Sequence, residues 1–98
     1  MKVIYKYYLA RNDASPHEVA VHFSNFVIDI LDIQEQGDAF WVWALVDTEL
    51  PQEETQIFSI AWTGRPIETS LKPKAAFYKY MKTIQASNGL VYHFFLAV

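Results

Sequence analysis

Apolar and polar residues alternate with a period of two through most of this chain, the repeat of a strand that turns one face inward. In KVIYKYYL (2–9), Val3, Tyr5, Tyr7 and Leu9 fall on one side, and Lys2, Ile4, Lys6 and Tyr8 on the other. VIDILDI (27–33) is rich in β-branched residues, with Asp29 and Asp32 as polar breaks, and strict alternation puts these carboxylates on opposite faces. AFWVWALVD (39–47) sets Trp41, Trp43 and Leu45 against Phe40, Val42, Ala44 and Val46. Both of its faces are apolar, which predicts a central strand or one lying in a subunit interface. TQIFSIAWT (55–63) carries Phe58, Ile60 and Trp62 on one side.

Turn signals separate these runs. QEQGD supplies a polar turn at Gly37, TELPQEE (48–54) reads as a charged loop, and GRPIETSLKPK (64–74) as a loop with two prolines. ASNG, between YKYMKTIQ and LVYHFFLAV, is the strongest hairpin signal, because Asn-Gly readily takes the left-handed conformation of a tight bend. Two stretches, 15–23 and 75–84, suit either helix or strand. SPHE resembles a capping box, yet Val19, Val21 and Phe23 alternate. Phe77, Tyr80, Met81 and Ile84 would line a helix, yet Tyr78 and Tyr80 alternate about Lys79. The whole predicts a single domain, 1–98, that is mainly β: a compact antiparallel sheet, small sandwich or barrel of about six to seven strands with little helix.

Composition adds an expectation about assembly. With 52% hydrophobic and 16% aromatic residues, so short a chain carries more apolar surface than a monomer readily conceals. A homo-oligomer is expected, with Trp41, Trp43 and Phe58 as interface residues. Eight basic against eleven acidic residues leave no excess of positive charge for a nucleic-acid backbone. The absence of cysteine excludes disulfides and thiolate chemistry and fits the cytoplasm. No segment approaches the roughly 18 apolar residues of a membrane-spanning helix, and MKVIYKYYLA is too short and polar for a signal peptide.

Catalytic signatures are missing. His17, His22 and His93 share no metal-ligand spacing, no serine sits in a nucleophile elbow, and no glycine-rich loop could cradle phosphate. The expectation is a protein without metal, cofactor or enzymatic activity. Binding is better motivated. In AWTGRPI (61–67), Trp62 could stack on a base while Thr63 and Arg65 reach an oxyanion, to which guanidinium makes paired hydrogen bonds. Lys72, Lys74, Lys79 and Lys82 interleave with Phe77, Tyr78 and Tyr80, a pattern that can hold a phosphate and stack a ring. Lys6, Tyr78, Lys79 and His93 complete the candidate ligand contacts. Each has a structural alternative: edge protection for the lysines, core or interface anchoring for Trp41 and Trp43, a bridge to Glu68 for Arg65, and an interior hydrogen-bonded role for His93.

The blocks MKVIYKY (1–7), WALVD (43–47), TGRPI (63–67), YMKTIQ (80–85) and LVYHFF (90–95) occur in an order and spacing that resemble a family of small, mostly uncharacterised phage and prophage proteins. Such proteins open Met-Lys-x-Ile-Tyr-Lys-Tyr, carry Trp-Ala-Leu-Val-Asp and Gly-Thr-Gly-His-Pro-Ile, and close on Trp-His-Val-Phe. Here Trp62 replaces the first glycine of that corner, Arg65 its histidine, and Tyr92 the tryptophan before His93. The resemblance implies strands at 18–23 and 79–85, and a phage accessory protein in the host cytoplasm. By analogy with phage sponges that act against Thoeris and CBASS defence, it implies sequestration of a small anionic nucleotide-derived signal. The alternative is an interaction module that inhibits a host protein through an exposed aromatic face.

Overall fold

The computed structural model describes residues 1–13, 17–64 and 78–97. Their seven strands are β1 (Lys2–Arg11), β2 (His17–Phe23), β3 (Phe26–Gln36), β4 (Ala39–Asp47), β5 (Glu54–Trp62), β6 (Tyr78–Gln85) and β7 (Val91–Ala97). They form a three-stranded sheet, β1-β4-β3, and a four-stranded sheet, β2-β5-β7-β6, with every pairing antiparallel. The two sheets pack face to face as a small β-sandwich. Both stretches that suited either helix or strand are strands over 17–23 and 78–85. The proline-rich stretch at 65–74 lies outside the described residues.

The core follows from alternation on the central strands. Phe40, Val42, Ala44 and Val46 of β4 are buried and oppose Phe58 and Ile60 of β5 and Tyr92 and Phe94 of β7. Phe40 stands edge-on to Tyr92 and Phe94, with centroids 4.9 and 5.0 Å apart, an arrangement that ring quadrupoles favour. Phe58, an expected interface residue, is instead 0% exposed. It pairs with Val19 and Leu96 on the inner face, so it contributes to the core and not to a contact surface.

Bulges redirect the edge strands. Register shifts fall at Leu9 in β1, at Ile28 and Leu31 in β3, and at Met81 in β6. Each extra residue advances the alternation by one. On β3 the inward positions therefore become Val27, Ile30 and Ile33. Asp29 then pairs with Leu45 and Asp32 with Trp43, so both aspartates register with the outer face of β4, not with opposite faces as strict alternation requires. The bulge at Met81 likewise brings Tyr80 and Thr83 to one side, and Lys79 and Lys82 to the other.

Side chains hold the sandwich together at its margins. At the β3–β6 seam, Lys82 Nζ lies 2.8 Å from Asp32 Oδ1. At one end, the Tyr92 hydroxyl and Asn88 Nδ2 donate to the Asn12 carbonyl, and Asn12 Nδ2 donates to Glu35 at 2.8 Å. Glu35 also accepts from the Ser87 N–H at 2.9 Å and the Ser87 hydroxyl at 3.0 Å. Three segments distant in sequence are thereby joined. The β3–β4 and β6–β7 turns pass through Gly37 (φ 62°) and Gly89 (φ 89°), where a side chain would be strained.

Candidate functional site

The outer face of the three-stranded sheet leaves a row of apolar and aromatic side chains open among the described residues. Cross-strand rows define it: Ile4–Leu45–Asp29, Lys6–Trp43–Asp32 and Tyr8–Trp41–Gln34. Ile4 is 57% exposed and Tyr8 53%, while Trp41, Trp43 and Leu45 of the central strand are half-buried by their neighbours. Lys6 Nζ sits 4.4 Å above the Trp41 ring and donates to Gln36 Oε1 at 3.0 Å. Tyr8 meets Trp41 edge-on with centroids 5.6 Å apart. The rings are thus held in place before any partner arrives, which limits the side-chain entropy lost on contact. One edge strand of this face carries Lys2 and Lys6 and the other Asp29 and Asp32.

The outer face of the four-stranded sheet bears a polar chain. His93 is flanked by the hydroxyls of Thr63, 2.6 Å from Nε2, and Thr83, 3.0 Å from Nδ1. Thr83 in turn meets the Tyr80 hydroxyl at 2.7 Å. β5, β7 and β6 position these four side chains through the pairings Ala61↔His93 and Thr83↔His93. Both imidazole nitrogens are occupied, and hydroxyls can donate or accept, so either neutral tautomer is accommodated. Farther along, the Tyr78 hydroxyl donates to Glu18 on the opposite edge strand. That bond, followed by burial and the nearby negative charge, raises the Tyr78 pKa.

The expected ligand contacts are dispersed. Thr63 and His93 come together, and Thr83 and Tyr80, which the sequence reading did not place in this group, join them. Trp62 pairs with Tyr92, packs against the core and stands edge-on to the Tyr92 ring at 6.1 Å. It therefore projects to the side opposite Thr63's neighbours. Lys6 belongs to the other sheet, and Lys79 lines a cleft between the sheets with Gln56 and Met81. Arg65, Lys72, Lys74 and Phe77 lie outside the described residues. Trp41 and Trp43 lie half-buried on the outer face of the three-stranded sheet.

No group of three or more histidine and carboxylate side chains among the described residues could hold a metal ion. Buried polar atoms without a hydrogen bond there include Tyr7 Oη, Glu54 Oε2 and Gln56 Oε1. Burial raises the Tyr7 pKa, with Tyr5 adding to the effect. Leaving such atoms unpaired costs about 1–3 kcal/mol each, so they mark places where the interior is not optimised for stability alone. Alternation could place Gln56 on the inner face, but not show that its oxygen lacks a donor. Among the described residues, no helix is long and apolar enough to cross a membrane.

No curated protein and no solved structure matches the chain. A family model described as a domain of unknown function, DUF7352, matches residues 1–98, and the chain belongs to that family.

Proposed function

We propose that this domain is a non-catalytic, self-associating interaction module that uses the outer face of its three-stranded sheet. The observation that carries the reading is the contiguous set Ile4, Tyr8, Trp41, Trp43 and Leu45 on a face with exposed aromatic and aliphatic side chains. Patches of this kind mark interaction surfaces. The occupant is a second copy of the chain. A two-fold axis parallel to β4, lying in the plane of contact, returns each cross-strand row onto itself and exchanges β1 for β3. Trp43 then meets its own copy, and Lys6 faces the strand of the second copy that carries Asp32, whose carboxylate also holds Lys82 of its own chain. A two-fold axis across the strands would instead set lysine against lysine. Asp29 remains at the rim, where polar groups stay wet.

Three strands about 4.8 Å apart and roughly 30 Å long present about 400 Å² per copy, about half the area per partner of a standard specific complex and in the range of weak, transient ones. The expected association is therefore micromolar and concentration-dependent. Sedimentation velocity over a dilution series should show dimer dissociating to monomer, and Trp43→Glu should be monomeric with an unchanged circular dichroism spectrum. A monomer at all concentrations, or a Trp43→Glu dimer as stable as the parent, would overturn the reading. The resemblance to small phage proteins supports placing such a module among phage accessory proteins that act in the host cytoplasm.

A second reading, sequestration of a small anionic nucleotide, is favoured by the Thr63–His93–Thr83–Tyr80 chain beside Gly64. It combines hydroxyl and imidazole donors with a 56% exposed Tyr80 ring suited to stacking on a base. Calorimetry with cyclic di- and trinucleotides and cyclic ADP-ribose isomers tests it. Heat that disappears in Tyr80→Ala and His93→Ala supports sequestration there, and no heat across the panel refutes it.

A further inference from the structure

The β6–β7 turn places an asparagine directly before a glycine, Asn88-Gly89, and that pair carries a reaction of its own. Once the Gly89 amide nitrogen gives its proton to a solvent base, it can attack the side-chain carbon Cγ of Asn88. A bond forms between the Gly89 nitrogen and Cγ, the Cγ–Nδ2 bond breaks, and Nδ2 takes up a proton and leaves as ammonia. Water then adds to either carbonyl of the five-membered imide and opens it to aspartate or isoaspartate. One water enters, one ammonia leaves, and nothing is oxidised or reduced. Gly89 favours the attack because it has no Cβ to crowd the nitrogen. The other two asparagines, Asn12 and Asn25, precede Asp13 and Phe26, whose side chains hinder the same step.

The fold ties down the groups that this reaction must move. The Gly89 N–H, whose proton has to leave first, donates to the Ala86 carbonyl at 3.0 Å. The leaving group Nδ2 donates to the Asn12 carbonyl at 2.8 Å and lies 3.4 Å from the Tyr92 hydroxyl. Oδ1 accepts from the Leu90 N–H at 2.9 Å, which fixes the rotation of the carboxamide. Asn12 and Ser87 are held in turn by Glu35. Asn88 is exposed to water, so these hydrogen bonds, and not burial, restrain it. The rate in the folded protein is then the unrestrained rate multiplied by the fraction of molecules in which this end of the sandwich is open.

We propose that Asn88 is a modification site gated by the fold: it converts through the Gly89 imide when the Asn12–Glu35–Ser87 cluster opens, and the product hinders the cluster from closing again. Aspartate at this position has no N–H for the Asn12 carbonyl, leaving that carbonyl to the Tyr92 hydroxyl alone. It also adds a second carboxylate to an end organised about Glu35. Isoaspartate inserts an extra carbon into the backbone of a turn closed by the Gly89–Ala86 and Ala86–Leu90 hydrogen bonds. Conversion is therefore self-reinforcing and records the time that this end has spent open. It depends on neither self-association nor a bound ligand.

Peptide mapping by mass spectrometry, with aspartate and isoaspartate products separated, follows the reaction during incubation at constant pH. In urea, where the turn is open, Asn88 should convert faster than Asn12 or Asn25. The folded protein should convert at least about tenfold more slowly than the protein in urea. Glu35→Ala should speed conversion of the folded protein about five- to thirtyfold and leave the rate in urea unchanged. Asp47→Ala, at the other end of the β1–β4 pairing, should leave the folded rate unaltered. Asn88→Asp should unfold at a lower Tm than the parent. Equal rates in folded and unfolded protein, conversion first at Asn12 or Asn25, or a Glu35→Ala protein no faster than the parent would each overturn the assignment. So would an Asp47→Ala protein as fast as Glu35→Ala, or an Asn88→Asp protein as stable as the parent.

Discussion

Replacing Glu35 by alanine tests whether the end of the sandwich is held by one carboxylate. Glu35 lies on β3 and accepts from Asn12, which follows β1, and from the N–H and hydroxyl of Ser87 in the β6–β7 turn. Three hydrogen bonds to a charged acceptor would be worth several kcal/mol in isolation, but water competes freely at this exposed end. A loss of about 1–2 kcal/mol is expected on truncation. For a domain of this size each kcal/mol lowers Tm by about 4–8 °C. The dependence on pH is the sharper signature. Burial raises the Glu35 pKa, but the bonds from Asn12 and Ser87 outweigh it and hold the folded value below 4.5. Its contribution is complete above the unfolded pKa and is lost as pH falls through the lower folded value. Urea titrations followed by tryptophan fluorescence should therefore show a gap between parent and Glu35→Ala at pH 7. That gap should narrow as pH falls below about 4.5 and through the lower folded value. A gap of equal size at pH 7 and at low pH, or no gap at pH 7, would refute the role given to the carboxylate.

Three further outcomes follow from the packing and the seam. Phe40→Ala removes a ring that is 0% exposed and touches both Tyr92 and Phe94; a loss of about 3–5 kcal/mol in urea unfolding is expected, and a loss below about 1.5 kcal/mol would contradict the core assignment. Gly89→Ala meets nothing within 4 Å, so its cost comes from φ 89° alone; about 1 kcal/mol is expected by thermal unfolding, and an unchanged Tm would show that the turn tolerates the left-handed conformation without glycine. At Asp32, burial raises the pKa, but bonds from Lys82, Gln34 and the Ile33 N–H bring it below the ordinary value. Lys82→Met should raise it, as read by carboxyl carbon NMR, and an unmoved titration would mean that the bridge does not persist in solution.

Much of this architecture is legible from alternation alone. The two faces of β4, the inward set Phe58–Ile60–Trp62 of β5, and the turns at Gly37 and Gly89 all follow from residue spacing. Bulges are the main source of error, because an extra residue leaves no composition signal when it is Ile28, Leu31 or Met81. The one available clue is the apolar spacing Val27–Ile30–Ile33, three residues apart on a strand. An interface role for Phe58 rests on its aromatic character, although alternation already groups it with Ile60 and Trp62. Which face turns inward is decided by burial against β4 of the facing sheet and not by residue type. Thr63 and His93 are thirty residues apart, and only the β5–β7 register brings them within 2.6 Å. The orphaned oxygen of Gln56 is a property of its surroundings, which a linear pattern does not encode.

In the proposed dimer the Lys6–Trp43–Asp32 row pairs with itself in a second copy. In a homodimer, Lys6→Glu sets the new carboxylate against Asp32 twice, and Asp32→Lys, combined with Lys82→Glu to keep the β3–β6 bridge with its charges reversed, sets the new ammonium against Lys6 twice. A one-to-one mixture of the two proteins restores both opposite-charge contacts. Sedimentation velocity should show each variant alone dissociating at concentrations where the parent is dimeric, and the mixture recovering a dimer of parental stability. A mixture no more associated than its components, or variants that dimerise as well as the parent, would contradict the account.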